Sequence, residues 1–374
     1  MRRRGELKVG LVGRRAQAFV AGFRSMPECQ VVAFCDLNPE TLQTIADKHQ
    51  IPERYRDFDA MVEKDLDVVV VATPMPFLAP QSAAALTHGK HVLAEVTAAV
   101  SLDECQLLVD AVRASGRKYM MAENYCYNKP NSMIRHMVRE GLFGEIYYAE
   151  GAYLHDCHSV HYDSEGNPTW RATWQVGKRG CTYGTHSLGP LLQWFDDSVA
   201  TVSCQGSGVH TDPSHVMDDI VTMICKTTRG ALLDVRLDMQ SHRPHNLTHY
   251  VLQGTKGAYH SARRRGEPNL IWLEGRSPDA QTWQSLEEYE SEFLPEPWRS
   301  LGPEAAQAGH GGGDYFVVRD FAQSILNDTT PPIDVYRALD FTVPGLVSEE
   351  SIARGGVPLP VPDFRALSNT PSQR

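Results

Sequence analysis

Leu7-Lys8-Val9-Gly10-Leu11-Val12-Gly13-Arg14-Arg15-Ala16 passes from a short apolar strand into a glycine turn and the start of a helix. Working outward, the same grammar repeats. Val31 to Asp36, Val68 to Thr73, His91 to Glu95 and Tyr119 to Glu123 read as buried parallel strands, because they are nearly continuous apolar runs and do not alternate. Helical patterns such as Pro39–His49 and Gln81–His88 lie between them. Strand–helix alternation at this spacing predicts an α/β, doubly wound parallel sheet of the Rossmann kind.

After Pro130 the pattern changes. One helix is expected over Asn131 to Glu140, ending at Gly141. Alternating strands follow at Glu145–Tyr153, Thr201–Gly206, Met217–Lys226, Ala231–Met239, His249–Gly254 and Leu270–Glu274. These predict an α+β domain on a large, mainly antiparallel open sheet. Arg276–Gly309 is irregular, and helices return at Asp314–Asn327 and Val335–Ala353. The boundary falls after Tyr127. Residues 1–127 form the nucleotide-binding domain, and 128–374 form a substrate-binding and oligomerisation domain whose C-terminal helix can pack back on the first.

With 374 residues, the chain is long enough for two substantial cores. A net charge of −10 disfavours nucleic acid and anionic membranes as partners. The eight cysteines form no CxxC pair and most lie in apolar runs, so buried reduced thiols are expected. Arg2-Arg3-Arg4 is followed by Glu6-Leu7-Lys8 and not by an apolar signal core, which makes the cytoplasm the default location.

The turn after the first strand departs from the GxGxxG fingerprint. Gly13 is retained, but counted back from Pro27 the turn is two residues short, and Ala16 takes the third glycine's place. Asp36 closes the second strand, where an acid holds the adenosine ribose hydroxyls. Leu37 follows it and supplies no positive charge for a 2′-phosphate, which favours NAD over NADP. Two readings of Arg14 and Arg15 stand: they clamp the pyrophosphate, or they reach a 2′-phosphate. Thr73-Pro74-Met75 ends the third strand at the sheet's carboxyl edge, where cofactors bind.

Taken together, Thr73-Pro74, Gly89-Lys90-His91-Val92, Glu95 and Gly254-Thr255-Lys256-Gly257 resemble the Gfo/Idh/MocA oxidoreductases over essentially the full length. Within that family the chain is similar to the NAD-dependent α-N-acetylgalactosaminidases, a glycoside hydrolase branch. Glu95-Val96-Thr97-Ala98-Ala99 stands where a dehydrogenase carries Glu-Lys-Pro, so the lysine that helps move a hydroxyl proton is replaced by Val96. Met120-Met121-Ala122-Glu123-Asn124-Tyr125-Cys126-Tyr127, Gly151-Ala152-Tyr153-Leu154-His155-Asp156, Trp170-Arg171, Tyr183-Gly184-Thr185-His186-Ser187-Leu188-Gly189-Pro190 and Gly309-His310-Gly311-Gly312-Gly313-Asp314 each resemble a segment of that branch.

The resemblance implies redox-assisted elimination. NAD takes hydride from a sugar C3, the ketone acidifies the C2 proton, a base removes it, and the C1 substituent leaves. Water then adds, and NADH reduces C3 again. It further implies His186, Tyr153 and Tyr183 as catalytic groups, with His186 at the C3 hydroxyl. Tyr153, His155, Tyr183, His186, Arg243 and His245 would line the sugar pocket. Gly13, Arg14, Arg15, Asp36, Thr73, Pro74, Met75, Glu95, Val96, Asn124, Trp170 and Arg171 would hold the cofactor. The substrate is a small glycoside, and the open second-domain sheet suggests a homo-oligomer, dimer or tetramer.

Bland readings stand beside these. A tyrosine in a strand is a normal core aromatic, and His310 among glycines can simply order a loop. Arg263-Arg264-Arg265 is a solvated loop or an attractor for an anionic sugar. His155, Asp156, His158 and His161 form a dense donor set that a divalent metal could use. They lack the regular helical pair of a known zinc motif, so no metal is expected. Two alternatives to the glycosidase remain: an NAD(P)-dependent sugar or cyclitol dehydrogenase, and a non-catalytic sugar-responsive scaffold.

Overall fold

The computed structural model describes residues 6–175, 177–244, 248–302 and 309–367. They divide into two units. The first comprises Met1–Tyr127, Leu301–Leu339 and Phe364–Arg374, and the second Asn128–Ser300 and Asp340–Asp363.

The first unit is built on six strands: β1 (Leu7–Val12), β2 (Cys29–Cys35), β3 (Glu53–Tyr55), β4 (Val68–Val71), β5 (His91–Ala94) and β6 (Tyr119–Met121). All pair in parallel, in the order β3-β2-β1-β4-β5-β6. Val68–Val71 are 0% exposed, as expected of a central strand covered on both faces. The order reverses between β1 and β4, so the crevice beyond their carboxyl ends is the place where such a sheet binds ligands. The helix after β4 runs Met75–Thr87, six residues earlier than the apolar pattern at Gln81 suggested. Pro74 caps it and Pro76 occupies its first turn, where proline's fixed φ and missing N–H cost nothing.

This unit also takes in residues far beyond Tyr127. The helix Gly313–Leu326 packs against the helix Val20–Arg24, where a Cβ added to Gly22 would lie 2.9 Å from Val318 Cβ. Glycine is what lets the two helices approach.

The second unit carries nine strands: β7 (Ile146–Leu154), β8 (Val199–Gly206), β9 (Ile220–Thr227), β10 (Leu232–Asp238), β11 (Thr248–Gly254), β12 (Gly257–His260), β13 (Leu270–Leu273), β14 (Gln284–Ser285) and β15 (Leu359–Pro360). Their order is β14-β13-β12-β11-β7-β10-β9-β8-β15, antiparallel except for the central β7–β10 pair. Alternate residues of β9 and of most of β10 are buried, and Gly151–Leu154 at the end of β7 are buried throughout. The buried set, including Leu233, Val235 and Leu237, faces the core. The other face carries Glu150, Asp234, Arg236 and the exposed Ile220, Ile224 and Leu232. Among the described residues all eight cysteines are free thiols, seven of them buried, and no helix is long and apolar enough to cross a membrane.

Candidate functional site

In the first unit the sequence-predicted cofactor residues gather at the switch point of the sheet. Gly13 follows β1 with φ +85°, and a Cβ there would sit 2.5 Å from Ala72 O at the end of β4. Only glycine fits this turn. The chain then enters a tight helix, Arg14–Phe19, with Ala16 fully buried where a third glycine was expected. Thr73 Oγ1 donates to Gln81 Oε1 at 2.6 Å, and Met75 is buried beside it. Asp36 is half-buried at the tip of β2, one oxygen accepting from Asn38 N at 2.9 Å, and Leu37 is exposed.

The structure distinguishes the two arginines. Both are exposed, and Arg15 extends its guanidinium to a network around two carboxylates. Its Nε lies 2.9 Å from Glu95 Oε1, and its terminal nitrogen 3.6 Å from Asp314 Oδ2. Asn124 Nδ2 donates to Asp314 Oδ1 at 3.0 Å, and His310 Nδ1 is 3.1 Å from the same oxygen. Burial pushes the Asp314 carboxyl up, but His310, Arg15 and Asn124 outweigh it and hold the group below the usual carboxylate range. Asp314 was not among the expected site residues, although the Gly-His-Gly-Gly-Gly-Asp motif contained it. Val96 is buried, and the Val96–Thr97 peptide is cis.

These residues fit a dinucleotide. The Gly13 turn leaves no side chain between the backbone and an approaching phosphate. Asn124 Oδ1 is buried without a hydrogen-bond partner, an acceptor that a ligand amide would satisfy.

In the second unit, Tyr153, His155, Tyr183 and His186 come together. Tyr153 is the penultimate residue of β7, and its hydroxyl lies 2.7 Å from His155 Nδ1. His186 sits in the first turn of the helix Thr185–Phe195, its ring centroid 4.9 Å from that of Tyr153 and 5.1 Å from that of Tyr183. Tyr250 Oη donates to the His186 carbonyl at 2.6 Å and fixes that turn, a contact the sequence did not signal. Trp170 and Arg171 lie on the short helix Trp170–Trp174 of this unit, the guanidinium 4.5 Å from the Trp170 ring centroid and donating to Gln175 Oε1 at 2.8 Å.

Arg243 is not brought to this group. It lines a cavity of about 290 Å³ with Glu150, Asp234, Arg236, His249 and Arg263. Glu150 alternates with Tyr153 along β7, so the cavity belongs to the opposite face of the sheet. His245 lies outside the described residues.

Residues 209–368 match the family described as "Glycosyl hydrolase 109, C-terminal domain". Residues 7–123 match the GFO/IDH/MocA oxidoreductase family with its NAD-binding Rossmann fold, and 132–260 match a GFO/IDH/MocA C-terminal domain. A glycosyl hydrolase family 109 protein of Solibacter usitatus is 30% identical over 395 residues, covering 96% of this chain and 88% of that one. The chain belongs to glycosyl hydrolase family 109. An α-N-acetylgalactosaminidase of Tannerella forsythia is also 30% identical to this family 109 protein, covering 96% of this chain and 86% of its own. The fold of this family 109 protein is shared with levoglucosan dehydrogenase in complex with NADH and levoglucosan, at TM-score 0.82 and 20% identity over 96% of this chain and 100% of that one. Family 109 membership and the NAD-binding unit together make the chain an NAD-dependent glycoside hydrolase.

Proposed function

We propose that Tyr153, His155, Tyr183 and His186 bind the sugar and move its protons, and that the sugar is a terminal N-acetylhexosamine. The Tyr153–His155 pair, 2.7 Å apart, carries this reading. When bound, NAD supplies a reversible oxidation at a ring carbon, which acidifies the neighbouring C–H bond. Tyr153 Oη is then the base at that carbon, because its own proton has somewhere to go: His155 Nδ1 accepts it along the existing hydrogen bond. His186 takes the proton of the hydroxyl being oxidised and returns it on reduction. Tyr183, edge-on to the His186 ring, orients that imidazole against the sugar. Glu95 and Asn124 hold the cofactor, and Arg15 anchors Glu95. Val96 supports a net hydrolase, because a buried valine cannot accept the hydroxyl proton that a dehydrogenase hands to lysine.

The N-acetylhexosamine proposal rests on the relative named α-N-acetylgalactosaminidase. The test is release of 4-nitrophenol from a panel of aryl glycosides, α-N-acetylgalactosaminide first, with and without added NAD, while absorbance at the NADH band is followed. Cleavage that depends on NAD without build-up of NADH supports the reading. Stoichiometric NADH without aglycone release would replace it with a dehydrogenase.

We also propose that the outer face of the nine-stranded sheet, with exposed Ile220, Ile224 and Leu232, joins copies of the chain into a homo-oligomer. Light scattering of an Ile224→Lys variant tests this, since a charge there would dissociate the assembly.

A further inference from the structure

Beyond the sugar-binding group, the second unit holds a concentration of imidazoles around one carboxylate. Asp156 follows β7, two residues past Leu154. Its Oδ1 lies 2.6 Å from His158 Nδ1, and its Oδ2 3.3 Å from His242 Nδ1. The His158 and His242 rings stack at 4.7 Å with 27° between planes. One donor atom from each of the three residues lies within 4.8 Å of the other two. His161 and His215 pack alongside, their ring centroids 4.8 Å apart, with His161 5.6 Å from His158.

This arrangement leaves hydrogen bonding incomplete. His161 is fully buried, and neither of its ring nitrogens has a partner. The Nε2 of His158 is likewise buried and unpartnered. A neutral imidazole always carries one N–H and one lone pair, so a buried ring with neither satisfied is costly. A bound cation relieves part of this deficit, because it uses lone pairs of neutral imidazoles and cancels the carboxylate charge.

We propose that Asp156, His158 and His242 bind a divalent transition-metal ion, with His161 the buried imidazole next to it. The ligand set of two imidazoles and one carboxylate suits zinc and its neighbours, and is too nitrogen-rich for calcium or magnesium. Tetrahedral bonds of about 2.0–2.1 Å place ligand atoms about 3.3 Å apart. The Asp156–His242 separation already meets this, whereas the 2.6 Å contact of His158 must open and separations of up to 4.8 Å among the three donors must close as the ion binds. A fourth position is left for His161 or water. Spacing along the chain could not show this site. His155, part of the dense donor set in the sequence, is committed to Tyr153, and His242 arrives from 86 residues away.

The ion would tie the segment after β7 to the loop after β10. That segment carries His155, whose backbone N–H already donates to Asp238 O at 2.8 Å. Occupancy would therefore stiffen the mount of the Tyr153–His155 pair without touching either side chain.

The test uses untagged full-length protein with NAD bound, stripped with a chelator and titrated with zinc by calorimetry, and with cobalt by absorption. One ion per chain is expected, with tetrahedral cobalt bands and no sulfur-to-cobalt charge transfer. His242→Ala, at an exposed position, should weaken binding by roughly tenfold or more while leaving the metal-free melting temperature unchanged. Asp156→Asn should act in the same direction. Absence of binding, a thiolate band, or stoichiometric binding that persists in both variants would overturn the proposal.

Discussion

Gly151 lies against Ser187: a Cβ built on Gly151 would come within 3.0 Å of Ser187 Cβ and 3.1 Å of Leu191 Cδ1. The missing side chain lets the helix Thr185–Phe195 settle onto β7, and this sets the His186 ring beside Tyr153. Valine at 151 is a good strand residue, so any damage it causes comes from the contact and not from strand propensity. Gly151→Val is expected to cost about 1–3 kcal/mol by overpacking and to lower kcat at least tenfold. NAD affinity, measured by fluorescence titration, should be unchanged. Full activity in this variant would show that the approach of helix to strand does not position His186.

Tyr153→Phe removes the oxygen that receives the sugar proton but keeps the ring that packs on His186. A general base contributes about 10²–10⁴ in rate, and a loss of that size in kcat is expected with little change in NAD affinity or melting temperature. His155→Gln keeps a hydrogen-bonding side chain but cannot take up a second proton as imidazole does. It should show a smaller loss and an altered pH–rate profile. A Tyr153→Phe enzyme within a factor of two of wild type would remove Tyr153 from the chemistry.

The sheet framework was legible where burial imposed an apolar run. Val68–Val71 and Leu7–Val12 are such strands. Glu53-Arg54-Tyr55 was not legible, because an exposed, polar three-residue edge strand carries no hydrophobic signal. The site divides in the same way. Gly13 and Asp36 are tied to strand ends and could be placed by counting. The approach of Arg15 to His310 spans 295 residues, and that of His242 to Asp156 spans 86, and no local pattern encodes either. Arg243 lies five residues past the end of β10, beyond the strand whose alternation would assign it a face, and it lines the cavity with Glu150, Asp234 and Arg236.

Asp314 is 1% exposed and collects Asn124, His310 and Arg15. Asp314→Asn keeps the shape and removes the charge that opposes Arg15. Because Arg15 is substantially exposed, the ion pair itself is screened, and most of the cost comes from the mismatched Asn124 amide and His310. A loss of about 1–3 kcal/mol is expected, read by urea unfolding, together with weaker NAD binding as Glu95 and Arg15 shift. Unchanged stability and NAD affinity would mean that the network is incidental.

His91, the first residue of β5, couples folding to acidity. Burial, aided by Arg117 and Lys118, pushes its imidazole down to about 4. Its Nδ1 accepts the Lys118 N–H at 3.0 Å, which requires a lone pair on that nitrogen. In the unfolded chain the same imidazole takes up a proton near pH 6.5. Between about pH 6.5 and 4 the unfolded state therefore binds more protons than the folded one. Stability is fully present above that window and declines as pH falls through it. His249, also pushed down to about 4, contributes a slope of the same sign, so the informative quantity is a difference between proteins. His91→Gln retains an acceptor and cannot titrate. Chemical denaturation of the two proteins at pH 7.5 and 5.0 should show the wild type losing more stability than His91→Gln over that interval. Equal losses would mean that His91 is already protonated in the fold, with its bond to Lys118 broken.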